Sequence, residues 1–169
     1  MHIKKAASLA QKLVTELMRK GYLLSLAESC TAGLVSSLIS EISGASQVLW
    51  GSYICYSKQA KVKMLCIDEK ILIQYGLVSR ETANELAIQA LNISNVNISA
   101  SVTGLAGPKG DGSNTPIGTV WIAAFLKNQN RNSPILHHIE KEFHFLGTRL
   151  EVRLQAAIAV LEILIEILQ

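Results

Sequence analysis

Helix-forming and strand-forming patterns alternate along this chain, and that alternation restricts its fold more than any other feature. Residues 4–20 place apolar side chains at spacings of three and four, which predicts an amphipathic helix that ends at Gly21. The apolar run YLLSLA at 22–27 predicts a buried strand, and LVSSLISEIS then resumes helical spacing up to Gly44. This order of elements is typical of the α/β class.

The same alternation continues to the end of the sequence. VLWGSYICY at 48–56 predicts a strand and SKQAKVKML a helix, and two more helices are predicted behind the N-cap residues Asp68 and Ser79. The remaining predicted elements are strands at 97–103 and 119–126, a polar loop at 127–134, an edge strand at 135–145 and a long helix from about Thr148. Because some strands follow one another through short loops, we predict a mixed β-sheet packed by helices.

Length and composition favour a single domain over residues 1–169, since domains usually contain about 100–150 residues. The chain is 49% hydrophobic and 17% charged, which is enough for a sizeable core. The net charge of +3 is spread along the chain without a dense basic stripe, so we expect no nucleic-acid binding. In the most apolar segment, 156–168, Glu162 and Glu166 lie one helical turn apart, which favours a bundle or interface helix over a membrane span.

Cysteine and histidine usage argues against disulfides and metal sites. The three cysteines, Cys30, Cys55 and Cys66, have no CxxC spacing, and the histidines have no metal-ligand spacing, so we predict no bound metal. Lys12 and Glu16 interrupt the first apolar stretch before it reaches the length of a signal sequence. We therefore expect a reducing, cytoplasmic location.

The turn ESCTAG, between the first predicted strand and its helix, is the first candidate site. A hydroxyl-rich, glycine-closed turn at a helix N-terminus directs N–H groups at one point, which suits an anion or an oxyanion. The alternative is an ordinary N-cap by Ser29 or Thr31. Cys30 is either a nucleophile with a lowered pKa or a buried, inert side chain.

Tyr56 and Lys61 form a second candidate. If a helix begins directly after Tyr56, that residue ends the strand and Lys61 projects from the first turns, so both can face the Ser29 turn. A buried lysine, its pKa lowered from about 10.4, would then accept the serine proton. The alternative is a solvated face of Lys58, Lys61 and Lys63, which we accept for Lys58 and Lys63.

A glycine-rich loop is the third candidate. TGLAGPKGDG at 103–112 follows a predicted strand, and glycines let the main chain approach a ligand closely. The order of a Walker phosphate loop is absent. A binding loop and a flexible surface loop both fit this pattern.

Five motifs in order resemble the CinA C-terminal domain family: AESCTAG, GSYICYSKQAK, VTGLAGPKGDG, PIGTVWIA and FLGTR. The family pattern reads AESCTGG, a TYSNEAK-like segment, SGIAGPxGG, PVGTVW and a GDR-like tripeptide, and the likeness covers nearly the whole chain. The resemblance implies one α/β domain and an amidohydrolase that converts nicotinamide mononucleotide and water to nicotinate mononucleotide and ammonia. Longer members carry a molybdopterin-binding-like domain before this unit, and we expect the function of the C-terminal unit alone.

The resemblance also implies roles for individual residues. It makes Ser29 the nucleophile, Lys61 the base and Tyr56 an assisting residue, with the N–H groups of Cys30 and Thr31 binding the oxyanion. The residues that it implies at the nucleotide are Gly33, Thr103, Gly104, Gly107 and, as a phosphate ligand, Arg149. It implies a small-molecule nucleotide substrate as the binding partner and no cofactor. We expect no nucleic-acid or membrane partner, for the reasons of charge and apolar pattern given above, and we expect a homo-oligomer.

This chain departs from the family pattern at Ala32, Lys58, Lys109 and Thr148. We expect Ala32 to be tolerated in a first helical turn unless a positive φ is needed there. Lys58 is expected to lower the pKa of Lys61 further or to disturb a hydrogen bond to the substrate. These departures leave open a second function, a nucleotide-binding member of the family with weak or no turnover.

Overall fold

A computed structural model of the chain describes residues 2–127 and 135–169. The strands are β1 (Leu24–Glu28), β2 (Leu49–Ile54), β3 (Ile98–Gly104), β4 (Thr119–Lys127) and β5 (Ile135–His144). The helices are α1 (His2–Lys20), α2 (Leu34–Ser40), α3 (Lys58–Leu65), α4 (Glu69–Tyr75), α5 (Arg80–Ser94) and α6 (Arg149–Ile167), with a 3₁₀ turn at Ala45–Gln47. The loop predicted at 127–134 lies outside these residues, apart from Lys127 at the end of β4.

The strands form one mixed sheet in the order β2-β1-β3-β4-β5. β1 pairs in parallel with β2 and β3, whereas β4 pairs antiparallel with β3 and β5. Parallel strands need long crossovers, and α2 supplies one while α3, α4 and α5 supply the other. The predicted α/β class and mixed sheet are confirmed, with helices on both faces.

Alternating side chains of β1 divide the core into two layers. Leu24 and Leu26 belong to the large cluster beneath α1, α2 and α6. Ala27 belongs to a smaller cluster beneath α3, α4 and α5, together with Cys55 and Leu86. This alternation follows from the two-residue period of a strand, and it places Glu28 and Ser29 on opposite faces of the sheet.

Small hydroxyl residues line the face of β3 that α5 covers. Ser99 and Ser101 donate hydrogen bonds to carbonyls of α5 at 2.7 and 2.6 Å, and Thr103 donates to the carbonyl of Leu77 at 2.7 Å. Short side chains let α5 pack close to the sheet, and the hydrogen bonds satisfy hydroxyls that are buried. Thr103 thereby ties the segment before α5 to the carboxyl end of β3.

Most helix ends agree with the predictions, and α2 is the exception. Asp68 and Ser79 accept hydrogen bonds from Lys70 N and Thr82 N, as N-caps do. The helix predicted up to Gly44 ends at Ser40, since the chain then turns through Gly44 at a φ of +89° into the 3₁₀ turn. None of the helices in the described ranges is both long enough and apolar enough to cross a bilayer.

Thr148 begins α6 with a capping box. Its side chain accepts from Glu151 N, while Glu151 Oε2 accepts from Thr148 N at 2.7 Å. Because aspartate and threonine are both good N-cap residues, this contact explains how threonine replaces the family's aspartate at this position.

We predict that Thr148→Ala lowers the free energy of unfolding by about 1 kcal/mol, because the first N–H groups of α6 lose their acceptor. Thr148→Asp is expected to keep that stability. Urea unfolding of the three proteins measures both effects, and an equal loss in the aspartate variant would contradict the cap assignment.

Candidate active site

A cavity of about 220 Å³ opens where β1 and β3 end. Carboxyl ends of parallel strands meet at one edge of an α/β sheet, which is where such folds bind ligands. The residues that line the cavity are Ser29, Cys30, Tyr56, Lys61, Leu77, Val78, Thr103, Gly104, Leu105, Ala106, Asp111 and Arg149. The structure thus brings the three candidate segments of the sequence to one place.

Ser29 and Lys61 are in direct contact in this cavity. Lys61 Nζ lies 3.0 Å from Ser29 Oγ and donates a second hydrogen bond of 2.7 Å to the carbonyl of Cys55. Both side chains are buried, and only 1% of Lys61 is exposed. Helix α3, which begins at its N-cap Ser57, directs Lys61 inward.

Burial lowers the pKa of the Lys61 ammonium group below its ordinary value, and the nearby Cys55 and Cys30 thiols oppose that shift only in part. Within the described residues, no carboxylate forms an ion pair with Lys61. A buried amine without a counter-charge favours its neutral form. Neutral Lys61 has a lone pair for the Ser29 hydroxyl proton, so the pair has the geometry of a nucleophile and its base.

Cys30 does not fit the role of a nucleophile. Burial raises the pKa of its thiol to about 12, and burial likewise raises the pKa of Cys55 to about 11. Both thiols therefore stay protonated at neutral pH, although Lys61 acts on both in the opposite direction. Of the two interpretations of Cys30, the buried and inert side chain is the one that the structure favours.

Lys58 lies on a different surface from the cavity. Its ammonium group forms an ion pair of 2.6 Å with Glu69 at the start of α4. The expectation that Lys58 lowers the pKa of Lys61 is wrong. Burial causes that shift, and the Lys58 ammonium group forms an ion pair with Glu69.

The predicted anion site at the helix N-terminus is also corrected. α2 begins only at Leu34, and its first free N–H groups, those of Val35 and Ser36, donate to the Glu28 carboxylate at 3.0 and 2.9 Å. Ser52 Oγ donates to the same carboxylate at 3.1 Å. The positive end of the α2 dipole therefore stabilises the Glu28 carboxylate and is not open to a bound anion. Glu28 belongs to the candidate turn ESCTAG, but this contact was not predicted, although an acidic residue shortly before a helix is a usual signal for it.

The turn between Ser29 and α2 uses two left-handed residues. Ala32 has a φ of +50° and Gly33 a φ of +90°, so Ala32 lies in the turn and not in a first helical turn as expected. A left-handed conformation is unfavourable for alanine, whereas the family's glycine adopts it freely. The positive φ therefore makes this departure a strained one.

Three of the residues predicted to bind the oxyanion or the substrate lie outside the cavity wall. Gly33 faces Ile54 of β2, where a Cβ would lie 3.2 Å from that side chain. Thr31 is fully buried, and its carbonyl accepts from Arg153 at 2.8 Å. Gly107 contributes a carbonyl that accepts from the Arg149 guanidinium.

Arg149 connects three parts of the site. Its guanidinium donates to the carbonyl of Gly107 in the glycine-rich loop and to the hydroxyl of Tyr56, and it lines the cavity. Asp111, whose charge is opposite to that of Arg149, also lines the cavity. Hydrogen bonds from Ser113 lower the pKa of the Asp111 carboxyl group. Asp111 was not singled out in the sequence, because in a glycine-rich loop an aspartate is also a common turn residue.

Gly104 is the glycine that the site requires for packing. A Cβ at this position would lie 2.6 Å from the Val120 side chain and 2.9 Å from the Thr119 carbonyl. Only glycine allows the end of β3 to pair this closely with β4 at the cavity wall.

In the part of the chain that the structure describes, no three side chains of His, Cys, Asp or Glu approach one another closely enough to hold a metal ion. The cavity wall itself carries one carboxylate, Asp111. That catalysis needs no metal stays a prediction.

These features define an α/β protein with a buried serine–lysine pair at the carboxyl edge of its sheet. The model of the CinA C-terminal domain family matches residues 6–168, and the chain belongs to that family. The nicotinamide-nucleotide amidohydrolase PncC of Enterobacter agglomerans is 35% identical over 162 residues, covering 96% of this chain and 94% of the relative.

Two further comparisons agree with that assignment. A CinA-like protein of Syntrophomonas wolfei is 37% identical over 88% of this chain and 34% of its own. The crystal structure of the competence/damage inducible protein CihA from Agrobacterium tumefaciens matches with a TM-score of 0.87 and 36% identity, covering 98% of this chain and 96% of that one. The chain spans about a third of the length of the first curated relatives that it matches.

We predict that Ala32→Gly stabilises the folded protein by up to about 1 kcal/mol, since it removes the left-handed strain of alanine at the expense of a more flexible unfolded chain. Chemical denaturation measures the effect. Ala7→Gly, at an exposed position inside α1, is the matched control and is expected to destabilise the protein by a similar amount. A loss of stability in both variants would contradict the strained turn.

Proposed function

We propose that this chain hydrolyses the carboxamide of nicotinamide mononucleotide, giving nicotinate mononucleotide and ammonia. The observation that carries the proposal is the 3.0 Å contact between the buried Lys61 amine and Ser29 Oγ. The relative named nicotinamide-nucleotide amidohydrolase, which matches over nearly its full length, supports the choice of substrate.

In the first half of the reaction, Ser29 Oγ attacks the carboxamide carbon and its proton passes to the neutral Lys61 amine. The resulting tetrahedral intermediate collapses when the Lys61 ammonium group returns that proton to the leaving nitrogen. Ammonia departs, and an ester joins Ser29 to the nicotinoyl group. The second hydrogen bond of Lys61, to the carbonyl of Cys55, keeps the amine directed at Ser29 in both steps.

The second half uses water as the co-substrate. Neutral Lys61 accepts a proton from the attacking water, the second tetrahedral intermediate forms, and the Ser29 oxygen leaves as its proton is restored. The carboxylate product is released and the enzyme returns to its starting state. Both halves balance without a cofactor.

The N–H groups of Cys30 and Thr31 are the proposed donors to the intermediate's oxyanion. Among the described residues, neither amide donates a hydrogen bond to a main-chain carbonyl, although the Cys30 main chain interacts with its own thiol. The residue directly after a nucleophilic serine is the usual source of one such donor, and Cys30 lines the cavity beside Ser29. Thr31 is the second proposed donor, through its main chain alone.

Arg149 is the proposed ligand of the nucleotide phosphate. It lines the cavity and forms no ion pair with a carboxylate among the described residues, so its charge is available to an anion. Tyr56 is the proposed assisting residue, and its hydroxyl already accepts from this guanidinium. Thr103 and Gly104 form the adjoining wall at the end of β3, and Gly107 holds Arg149 from the loop.

We predict that the purified protein releases ammonia from nicotinamide mononucleotide and that Ser29→Ala lowers the rate by about a thousandfold or more. The Ser29→Ala protein is expected to retain nucleotide binding, because Arg149 and the wall of β3 are unchanged. Cys30→Ala is the matched control and should keep most of the activity, since only its main chain is used.

Ammonia release in the presence and absence of a chelator, with calorimetric titration of the Ser29→Ala protein, measures these effects. Binding without turnover by the unsubstituted protein would favour the nucleotide-binding alternative. A Cys30→Ala enzyme without activity would contradict the assignment of Ser29 as the nucleophile.

We predict that turnover rises with pH as Lys61 loses its proton. Its pKa in the folded protein lies below the ordinary lysine value, so the neutral base is absent at low pH and accumulates as the pH passes that lowered pKa. Lys61→Ala should abolish this rise together with nearly all activity. Lys61→Arg should fail as well, because a guanidinium keeps its proton.

Lys58→Asn is the matched control for charge on α3. Because Lys58 pairs with Glu69, the pH at which the rate is half-maximal should not move in this variant. Initial rates of ammonia release across the pH range measure it. An active Lys61→Arg enzyme would show that Lys61 is not the base.

A further inference from the structure

Arg153 holds the turn that follows the nucleophile. It lies on α6 one turn beyond Arg149 and is partly buried. Its Nε donates to the carbonyl of Cys30 at 3.1 Å and its Nη2 donates to the carbonyl of Thr31 at 2.8 Å. Among the described residues no carboxylate pairs with Arg153, and its two hydrogen bonds go to the main chain of this turn.

These two contacts determine how the amide groups of the turn are oriented. A trans peptide is planar, so its carbonyl and its N–H point in opposite directions. By holding the carbonyl of Cys30, Arg153 directs the N–H of Thr31 away from its own guanidinium. The two groups belong to the same peptide and must rotate together.

The second contact reaches the N–H of Cys30 through one further peptide. Arg153 holds the carbonyl of Thr31, whose peptide partner is the N–H of Ala32. That N–H donates to the carbonyl of Ser29 at 3.1 Å, and the carbonyl of Ser29 shares a peptide plane with the N–H of Cys30. Both proposed oxyanion donors are therefore oriented by peptides that Arg153 fixes directly or through Ala32.

The left-handed Ala32 makes such a restraint necessary. Its φ of +50° is unfavourable for a residue with a Cβ, so the turn needs tertiary contacts to persist. Arg153 supplies such contacts by donating hydrogen bonds to the carbonyls of Cys30 and Thr31, the two residues before Ala32.

We propose that Arg153 is a positioning residue that fixes the Cys30 and Thr31 amide groups for the oxyanion formed on attack by Ser29. This inference rests on the proposed function of the Ser29–Lys61 pair. Arg153 does not line the cavity and acts through the main chain of the turn. Its loss should slow attack by Ser29 without weakening substrate binding.

The test uses a fluorophosphonate reagent as well as nicotinamide mononucleotide. Ser29 Oγ forms a bond to phosphorus, the phosphorus–fluorine bond breaks, fluoride leaves and Lys61 takes the proton, while the phosphoryl oxygen occupies the oxyanion position. Intact mass over time gives the rate of modification without any need for turnover. Arg153→Gln is expected to lower that rate and kcat by about tenfold to a hundredfold, less than the loss of an oxyanion donor itself.

Further readouts separate positioning from a merely structural role. KM and the pH of half-maximal rate should stay as in the unsubstituted protein, because Arg153 contacts neither the proposed substrate residues nor Lys61. Arg153→Lys should have an intermediate rate, since one ammonium group cannot hold both carbonyls in this geometry. Arg19→Gln, which removes an exposed arginine of α1, is the control and should react at the original rate.

Modification of Arg153→Gln at the original rate would overturn the inference. If that variant does not fold, Arg153→Lys decides, and an undiminished rate in it would overturn the inference. If Ser29 is modified but no ammonia is released, the proposed substrate is refuted. The modification rates of the Arg153 variants then still decide whether Arg153 positions the turn. A protein in which Ser29 does not react would refute the nucleophile and the role of Arg153 together.

Discussion

The contact between Lys61 and Ser29 depends on burying an amine with no counter-charge, and much of the surrounding structure serves that burial. Transferring an ammonium group from water to a protein interior costs several kcal/mol, and among the described residues two oxygen acceptors meet it, Ser29 Oγ and the carbonyl of Cys55. The neutral amine avoids most of that penalty. The fold thus loses some stability at this position and holds an amine whose pKa is lowered, as the proposed base requires.

Sheet topology explains why the site draws on both halves of the chain. The parallel arrangement of β1, β2 and β3 brings Ser29, Lys61 and Thr103 to one edge. The antiparallel return through β4 and β5 then leads the chain back to the same edge, where α6 begins. Arg149 and Arg153 therefore reach the cavity wall and its turn from sequence positions far beyond the other site residues.

The sequence predicted those parts of the protein that local patterns determine. Strand positions, the caps at Asp68 and Ser79, and the proximity of Ser29, Tyr56 and Lys61 follow from periodicity, from residue types at helix ends and from the order of motifs. Contacts between distant residues have no such local signal. The hydrogen bonds of Arg153 to the turn and the position of Asp111 on the cavity wall were therefore not predicted. The pairing of Lys58 with Glu69 was missed for the same reason, and the expected homo-oligomer stays a prediction.

The N-termini of α2 and α6 are not open to phosphate, unlike the helix N-termini that many α/β proteins offer to this anion. The Glu28 carboxylate fills the N-terminus of α2, and Glu151 caps that of α6. A phosphate at either position would meet a carboxylate that already lies there. The remaining cation on the cavity wall beside Lys61 is the Arg149 guanidinium. In the proposed reaction the two arginines of α6 therefore have different roles: Arg149 binds the phosphate of the substrate, and Arg153 orients the amides that meet the negative charge formed on attack.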